Sequence, residues 1–465
     1  MATATASLSG VVADVGSWLP GLMEEKHVPG VAIGVLGQGE EVTAGFGLTS
    51  VENPLPVTAD TLFQIGSITK TFTATVVMML VEKGELDLDA PVRAYLPDFS
   101  LSADDVSSAV TLRHLLTHVG GWVGDYFGDF GRGDDAVAGI VASMPKAKQL
   151  TPVGEVFSYN NTGFDIAGRV IEKVTGQVYE QAIRDMIFKP LAMEKTFFFA
   201  EELISYRVAI GHIWTDDGLK PARRYALSRA MNPAGGIVSS VSDMLRYARF
   251  HMGDGTAPDG SRLLKRETMD FMQARQQDGG NFCEAVGVAW LLNEYDGRWT
   301  YGHGGSTNGF QADLVIAPDA GMAIVVLTNG DHGSEVYRKV VDYALDKIAG
   351  IEPPQREHQR REDNQLSEFE GHYTAMLSEV DLAAGDGCLV LTSNPPERIK
   401  QVLDNMPVKP PPVRLAFYDE DRVIALDAPF EGSRGEFLRA PDGSIAWFRW
   451  GGRIMQPVSK GANDG

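Results

Sequence analysis

The chain has 465 residues, 44% hydrophobic and 22% charged, with a formal net charge of −21; that field repels phosphate backbones and anionic lipid, so neither a nucleic-acid nor a membrane partner is expected. The length calls for two or three domains, and 51 glycines with 24 prolines call for many turns. The two cysteines, Cys283 and Cys388, stand far apart and build neither a disulfide framework nor a zinc ribbon.

The first 21 residues lack a basic n-region and carry Asp14, which does not fit a signal peptide. The apolar run Thr73–Val81 is too short to cross a bilayer, so a cytoplasmic protein is expected. Residues 31–50 predict a β-hairpin around a Gly-Gln-Gly-Glu turn. From Ser67 to about Lys83, apolar residues at Phe72, Val76, Met79 and Leu80 predict a helix, with Gly84 as its stop. Residues from roughly 100 to 220 hold helical patterns broken by Gly and Pro, among them Thr111–His118 and Thr162–Val174, the latter closed by Gly176. A short helix follows at Met244–His251. Strands are predicted at Val286–Leu292, Trp299–Tyr301, Gln311–Ile316 and Ala323–Leu327, then a helix at Glu335–Ile348 ending at Gly350.

This order predicts an α+β fold in which a sheet is assembled from both ends of residues 1–350, with a helical subdomain inserted at roughly 100–220. Residues 351–365 are charged and Pro-containing and read as a linker. Beyond it, short alternating runs such as EVDLA, CLVLT, VRLAFY and AWFRW predict a small antiparallel barrel or sandwich over about 366–460.

Two Ser-x-x-Lys tetrapeptides occur, at Ser67–Lys70 and Ser143–Lys146. A serine nucleophile and a lysine base must share one helix face, which i, i+3 spacing supplies only in a helix. Pro145 is expected to push Met144 toward extended backbone and disqualify the second copy. The first copy follows Gly66 and opens a periodic apolar helix, where N-terminal amides favour developing negative charge. On these four residues alone, an N-cap serine with a solvated Lys70 fits equally well. A lysine base also needs burial to lose its proton near neutral pH, and so a second site element. Phe157–Gly163 offers Tyr159 as a proton carrier and Asn161 as an orienting amide; Ser158 with Asn160 is the alternative register, and ordinary turn chemistry another. A third element is His303-Gly-Gly-Ser306, placed between two predicted strands, where the Ser306 amide is suited to complete an oxyanion hole with that of Ser67. Gly304 to Asn308 fails the Gly-x-Ser-x-Gly pattern, and His114 with His118 lack the Glu of a zinc motif. No metal or cofactor is implied.

Taken in this order, Ser67/Lys70, Tyr159/Asn161 and His303/Gly305 resemble the three motifs of the serine β-lactamase and penicillin-binding-protein superfamily. The likeness is to the branch near class C β-lactamases, family VIII esterases and D-aminopeptidases, and covers about residues 10–350. It implies a β-lactamase-like antiparallel sheet flanked by helices, and a serine hydrolase acting on amide or ester bonds of a small-molecule or peptide substrate. In that branch the second motif is Tyr-x-Asn, which favours Tyr159. The resemblance also implies that Ser67 forms an acyl-enzyme with Lys70 as base. Tyr159 shuttles the proton, Asn161 positions the substrate amide, and the Ser67 and Ser306 amides hold the oxyanion. His303, standing where a lysine is usual, tunes Tyr159 or meets a carboxylate, and favours peptidase, amidase and esterase relatives over β-lactam hydrolysis. The C-terminal region, with EFEGHYTA at its start and WFRWGG near its end, resembles the lipocalin-like barrel of some D-aminopeptidases and of penicillin-binding-protein-type peptide cyclases. In a cyclase the barrel would shape the site through Trp450 or Arg453; an inert accessory domain is the alternative. Cyclisation, β-lactam hydrolysis and a non-catalytic scaffold stand as alternatives.

Overall fold

The computed structural model describes residues 7–37, 39–354, 356–396 and 407–458. Gln38 of the expected hairpin turn, the first six residues and residues 459–460 lie outside them.

The part of the chain before residue 351 is built on an eight-stranded antiparallel sheet. Its strands are β1 (Gly30–Gly37), β2 (Glu40–Gly47), β3 (Gln277–Asp278), β4 (Ala285–Val286), β5 (Leu291–Tyr295), β6 (Arg298–Thr307), β7 (Phe310–Ala317) and β8 (Met322–Thr328), in the order β2-β1-β8-β7-β6-β5-β4-β3. The N-terminal hairpin joins the rest through β1 on β8, with Val31 opposite Thr328. The two-residue period of a strand sorts side chains onto two faces. Val31, Ile33 and Val35 of β1 and Ile324 and Val326 of β8 meet helices α1 (Leu8–Glu25) and α7 (Gly333–Ala344). Ala32 and Leu36, with Ala323, Val325 and Leu327, face the larger core under α2 (Thr69–Glu82) and α6 (Val241–Met252). Helix α2 is buried on every side from Thr69 to Leu80. Its threonines are tolerated there because their hydroxyls are bonded: Thr71 to the Ile68 carbonyl at 2.8 Å and Thr73 to the Pro233 carbonyl at 2.7 Å.

The helical insert holds α3 (Leu112–Leu116), α4 (Ala136–Ser143) and α5 (Thr162–Thr175), the last stopped by Gly176 in the left-handed conformation. Three local expectations are corrected. Val286–Leu292 is two strands rather than one, because the chain turns at Gly287, whose amide donates to the Trp290 carbonyl, and Ala289 sits at φ 64°. The stretch His303–Ser306 lies within β6, not between strands. Met144 is helical (φ −60°, ψ −23°), since Pro145 falls in the first positions of a 3₁₀ turn, where a proline fits.

The C-terminal strands close into an eight-stranded antiparallel barrel from Gly371 to Pro457. Gly371–Thr374 and Arg453–Pro457 supply the strands not anticipated from sequence. Phe369, Tyr373, Phe417, Phe437 and Phe448 fill its interior, which is a packed core rather than a ligand cup. The segment before it lies along the barrel: the Gln359 amide donates to the Phe417 carbonyl at 2.7 Å, and the Arg361 guanidinium stacks 3.7 Å from the Phe417 ring. The barrel seats on the sheet-and-helix part through Arg434–Glu284 at 2.5 Å, Asn281 to the Gly435 carbonyl at 2.7 Å and Arg449 to the Phe157 carbonyl at 3.0 Å. Among the described residues, no helix is long and apolar enough to cross a membrane.

Ile324 is fully buried between α1 and α7. Ile324→Ala is expected to cost about 2–5 kcal/mol in the sheet-and-helix part, read as a lowered thermal transition.

Candidate active site

Gly66, Ser67 and Ile68 form a 3₁₀ turn that feeds α2, so Ser67 precedes the α-helix rather than starting it. Gly66 has φ 52°, and a Cβ there would lie 2.7 Å from the Ser306 amide nitrogen. A Cβ on Gly305 would lie 1.9 Å from the Ile65 carbonyl oxygen. Two glycines therefore let the serine turn and the second half of β6 meet backbone to backbone. Strand β5 pairs with β6 only as far as Gly302, which leaves residues 303–307 bonded to β7 on one side.

Lys70 is fully buried one turn after Ser67. Its Nζ lies 2.9 Å from Ser67 Oγ, 2.7 Å from Asn161 Oδ1 and 2.6 Å from the Ala234 carbonyl oxygen. Burial lowers its pKa from the ordinary 10.5 to about 7, against the opposing pull of Asp165 and Asp125. A neutral amine has two N–H groups and one lone pair. The Asn161 and Ala234 oxygens can only accept, so they take the two N–H groups and the lone pair falls on the Ser67 hydroxyl. The geometry therefore makes Lys70, once deprotonated, a base aimed at one proton.

Tyr159 and Asn161 come from the segment leading into α5. Asn160 makes the turn contacts that lead into α5, accepting from the Gly163 amide at 2.9 Å and the Thr162 hydroxyl at 3.0 Å. Ser158 instead receives the Ile454 amide of the barrel, at 3.4 Å. The register with Tyr159 and Asn161 in the site is the one the structure has. The Tyr159 hydroxyl lies 3.4 Å from His303 Nε2 with the Ser67 side chain beside it, and burial raises its pKa well beyond the usual range of a phenol. It is a neutral phenol at physiological pH. Its ring lies 5.0 Å from Lys70 Nζ and stacks on His118 at 4.3 Å.

His303 Nδ1 sits 2.6 Å from the Gly304 carbonyl, which can only accept, so Nδ1 carries the proton and Nε2 receives the Tyr159 hydroxyl. Burial lowers its pKa to about 3, with Lys70 acting in the same direction. Of the two roles expected for His303, contact with Tyr159 fits; an uncharged ring offers a substrate carboxylate no standing cation. Ser306 is exposed at the end of the strand, its hydroxyl accepting from Gln311 Nε2 at 3.0 Å. His114 closes the cap of α3 with Thr111, and His118 accepts the Asn160 amide at 2.9 Å.

Sequence reasoning missed Asp125, which accepts from Asn161 Nδ2 at 2.7 Å. It lies in the Gly-rich stretch after Gly120, where no period or motif marks it. The Ala234 carbonyl carries no side-chain signal at all. Asp165 is buried with neither carboxyl oxygen bonded among the described residues, and burial lifts its pKa well above the carboxylate range. A cavity of about 730 Å³ opens beside His303 and Gly304, reaching Asp313 and Tyr337 below and Trp450 of the barrel above.

A serine hydrogen-bonded to a fully buried lysine, on an antiparallel sheet carrying a helical insert, fits a serine acyl-transfer enzyme. A family model described as Beta-lactamase matches residues 15–347, and the chain belongs to the beta-lactamase family. Penicillin-binding protein 4 of Amycolatopsis lactamdurans is 36% identical over 343 residues, 72% of this chain and 89% of that protein. The crystal structure of SurE with D-Leu superposes at a TM-score of 0.72 and 26% identity, over 97% of this chain and 100% of SurE, so the likeness runs through the barrel. D-amino acid amidase from Ochrobactrum anthropi SV3, complexed with L-phenylalanine amide, gives a TM-score of 0.60 at 27% identity, over 72% of this chain and 99% of that one. These relations make the protein a serine hydrolase acting on amide or ester bonds.

Two outcomes follow from the geometry. The amine of Lys70 is needed neutral, so acylation by a small active-ester or fluorophosphonate probe should fall as pH drops below about 7 and level off above it. Stopped-flow or gel labelling rates against pH would show this limb. Gly305→Ala should push β6 off the Ile65 carbonyl and slow acylation by about 100-fold, measured in the same assay.

Proposed function

We propose that the protein is an amidase or peptidase whose Ser67 is acylated by the carbonyl of a small amide or short peptide, with water releasing the acyl group. The observation that carries this reading is the triple contact of Lys70 with Ser67, Asn161 and Ala234, on a lysine whose pKa lies near neutrality. Neutral Lys70 takes the Ser67 proton as Oγ attacks, and the Ser67 and Ser306 amides receive the oxyanion. Tyr159, a neutral phenol with His303 behind it, donates its proton to the leaving amine and recovers one from Lys70. Asn161 holds the substrate amide. The D-configured ligand of SurE and the D-amino acid amidase favour an acyl donor with a D-residue at the cleaved bond. His303 in place of a cationic lysine speaks against efficient β-lactam turnover.

Cyclisation is the second reading, favoured by one observation. The barrel reaches the site, its Gly452 carbonyl receiving the Tyr159 amide at 2.8 Å, and a second domain at the site wall would let a substrate's own amine compete with water.

Ser67→Ala should abolish covalent labelling by a fluorophosphonate, while Ser143→Ala should not change it; retained labelling of the first variant would sink the assignment. A panel of D- and L-amino-acid amides, short-chain esters and nitrocefin should show turnover of the D-amides above the rest. Mass spectrometry of the products separates hydrolysis, which adds water, from cyclisation, which does not.

A further inference from the structure

The barrel's last two strands, Ile445–Trp450 and Arg453–Pro457, are joined by Gly451 and Gly452, with Trp450 opposite Arg453. Both glycines have positive φ, 56° and 78°, the requirement of a tight two-residue hairpin turn. This turn points at the catalytic part. Gly452 packs on Phe282 and binds the Tyr159 amide, and the next residue is Arg453. Its guanidinium grips Asp125 with two donors, Nε to Oδ2 and Nη2 to Oδ1, the latter at 3.0 Å, and lies 5.1 Å from the Tyr159 ring.

We infer that Arg453 is a positioning residue of the active site, fixing through Asp125 the Asn161 amide that holds Lys70 against Ser67. An amide side chain can present either end to a neighbour. Lys70 needs the oxygen of Asn161, so the nitrogen must find an acceptor on the other side, and Asp125 supplies it at 2.7 Å. A bare carboxylate in that place would hold a proton on Lys70 and spoil it as a base. Arg453 cancels that charge while leaving the acceptor oxygen in place. The pair thus gives Asn161 a strong acceptor with no net charge, at the cost of making the catalytic centre depend on a residue of the other domain.

The groups around Lys70 are Ser67 on its own turn, Asp165 from α5, Tyr159 and Asn161 before it, His118 after α3, His303 on β6, Asp125 from the insert and Arg453 from the barrel. Of these, Asp125 and Arg453 act on Lys70 in opposite directions, Asp125 favouring the charged form and Arg453 the neutral one. That opposition gives a test. It rests on Lys70 being the base.

The full-length protein and its variants would be acylated with a fluorophosphonate as a function of pH, with thermal melts recorded alongside. Arg453→Ala should move the acid limb of the rate upward by about one pH unit, slowing acylation about five-fold at neutral pH. Asp125→Asn, which is isosteric and keeps an acceptor for Asn161, should move the limb downward. The double variant should return it close to that of the unmodified protein. A merely structural clasp between domains would lower the melting temperature in both single variants without moving the limb in opposite directions, and that result overturns the inference. Should Arg453→Ala fail to fold, a limb unmoved in Asp125→Asn overturns it equally. An unmodified protein with no acid limb at all would instead strike down Lys70 as base.

Discussion

A lysine ammonium sealed from water has to be held by acceptors or give up its proton, and in this protein Lys70 stands between the two. The fall of its pKa from 10.5 to about 7 corresponds to about 5 kcal/mol of added cost for the charged form. Two carbonyl-type oxygens, from Asn161 and Ala234, reduce that cost without removing it. Every larger element can be read as serving this position. Helix α2 must be buried on all sides to bury Lys70, which is why it sits between the sheet and the helical insert. The insert must bring Asn161 across, and the short turn at Ala234 must expose a carbonyl to the same point.

The second demand is closeness. The proposed nucleophile Ser67 and the second proposed oxyanion donor, the Ser306 amide, lie on different elements, the 3₁₀ turn and the free half of β6. Side chains at Gly66 and Gly305 would force these apart, by the collisions with Ser306 and Ile65. The same strand carries His303 on the face toward Tyr159, so one segment sets both the approach to the serine and the proton acceptor behind the phenol. The fixed tautomer of His303 follows from a backbone carbonyl, not from another side chain. Its neutrality keeps the pocket free of a second cation that would compete with Lys70.

How much of this the sequence displayed depends on where the signal resides. Most of the sheet and the helices α2, α3, α5, α6 and α7 were legible because their apolar periods are strong, whereas α1 and α4 were not read; the barrel was legible because turns separate its short alternating runs. Ser67, Lys70, Tyr159, Asn161 and His303 were legible as motifs, since chemistry restricts which residue types can stand at those spacings. The turn at Gly287–Trp290 was hidden, because an apolar run looks the same whether it crosses the sheet once or folds back. The first and last barrel strands were hidden because GHYT and RIMQP are too short and mixed to alternate visibly. Asp125 was invisible for a different reason. Its role comes from tertiary contact with Asn161 and Arg453, which lie 36 and 328 positions away, and no local pattern encodes such a meeting.

That distance also bears on what the barrel is for. A barrel that bound a ligand in its interior would keep that interior open, yet aromatic rings fill this one. Its contribution must then be made from its outside, by the surfaces and turns it presents. The contacts with the catalytic part cluster around Phe157 to Tyr159: Arg449 on the Phe157 carbonyl, Ile454 on Ser158 and Gly452 on the Tyr159 amide. Three successive residues of the motif segment are thus held by three residues of one hairpin. Fixing the segment that leads up to the Tyr159 amide limits where its hydroxyl can go, and the proposed proton relay through Tyr159 needs that restriction more than it needs strength. The rigid core of the barrel is what allows a two-glycine turn at its rim to serve as a reference point for the catalytic residues.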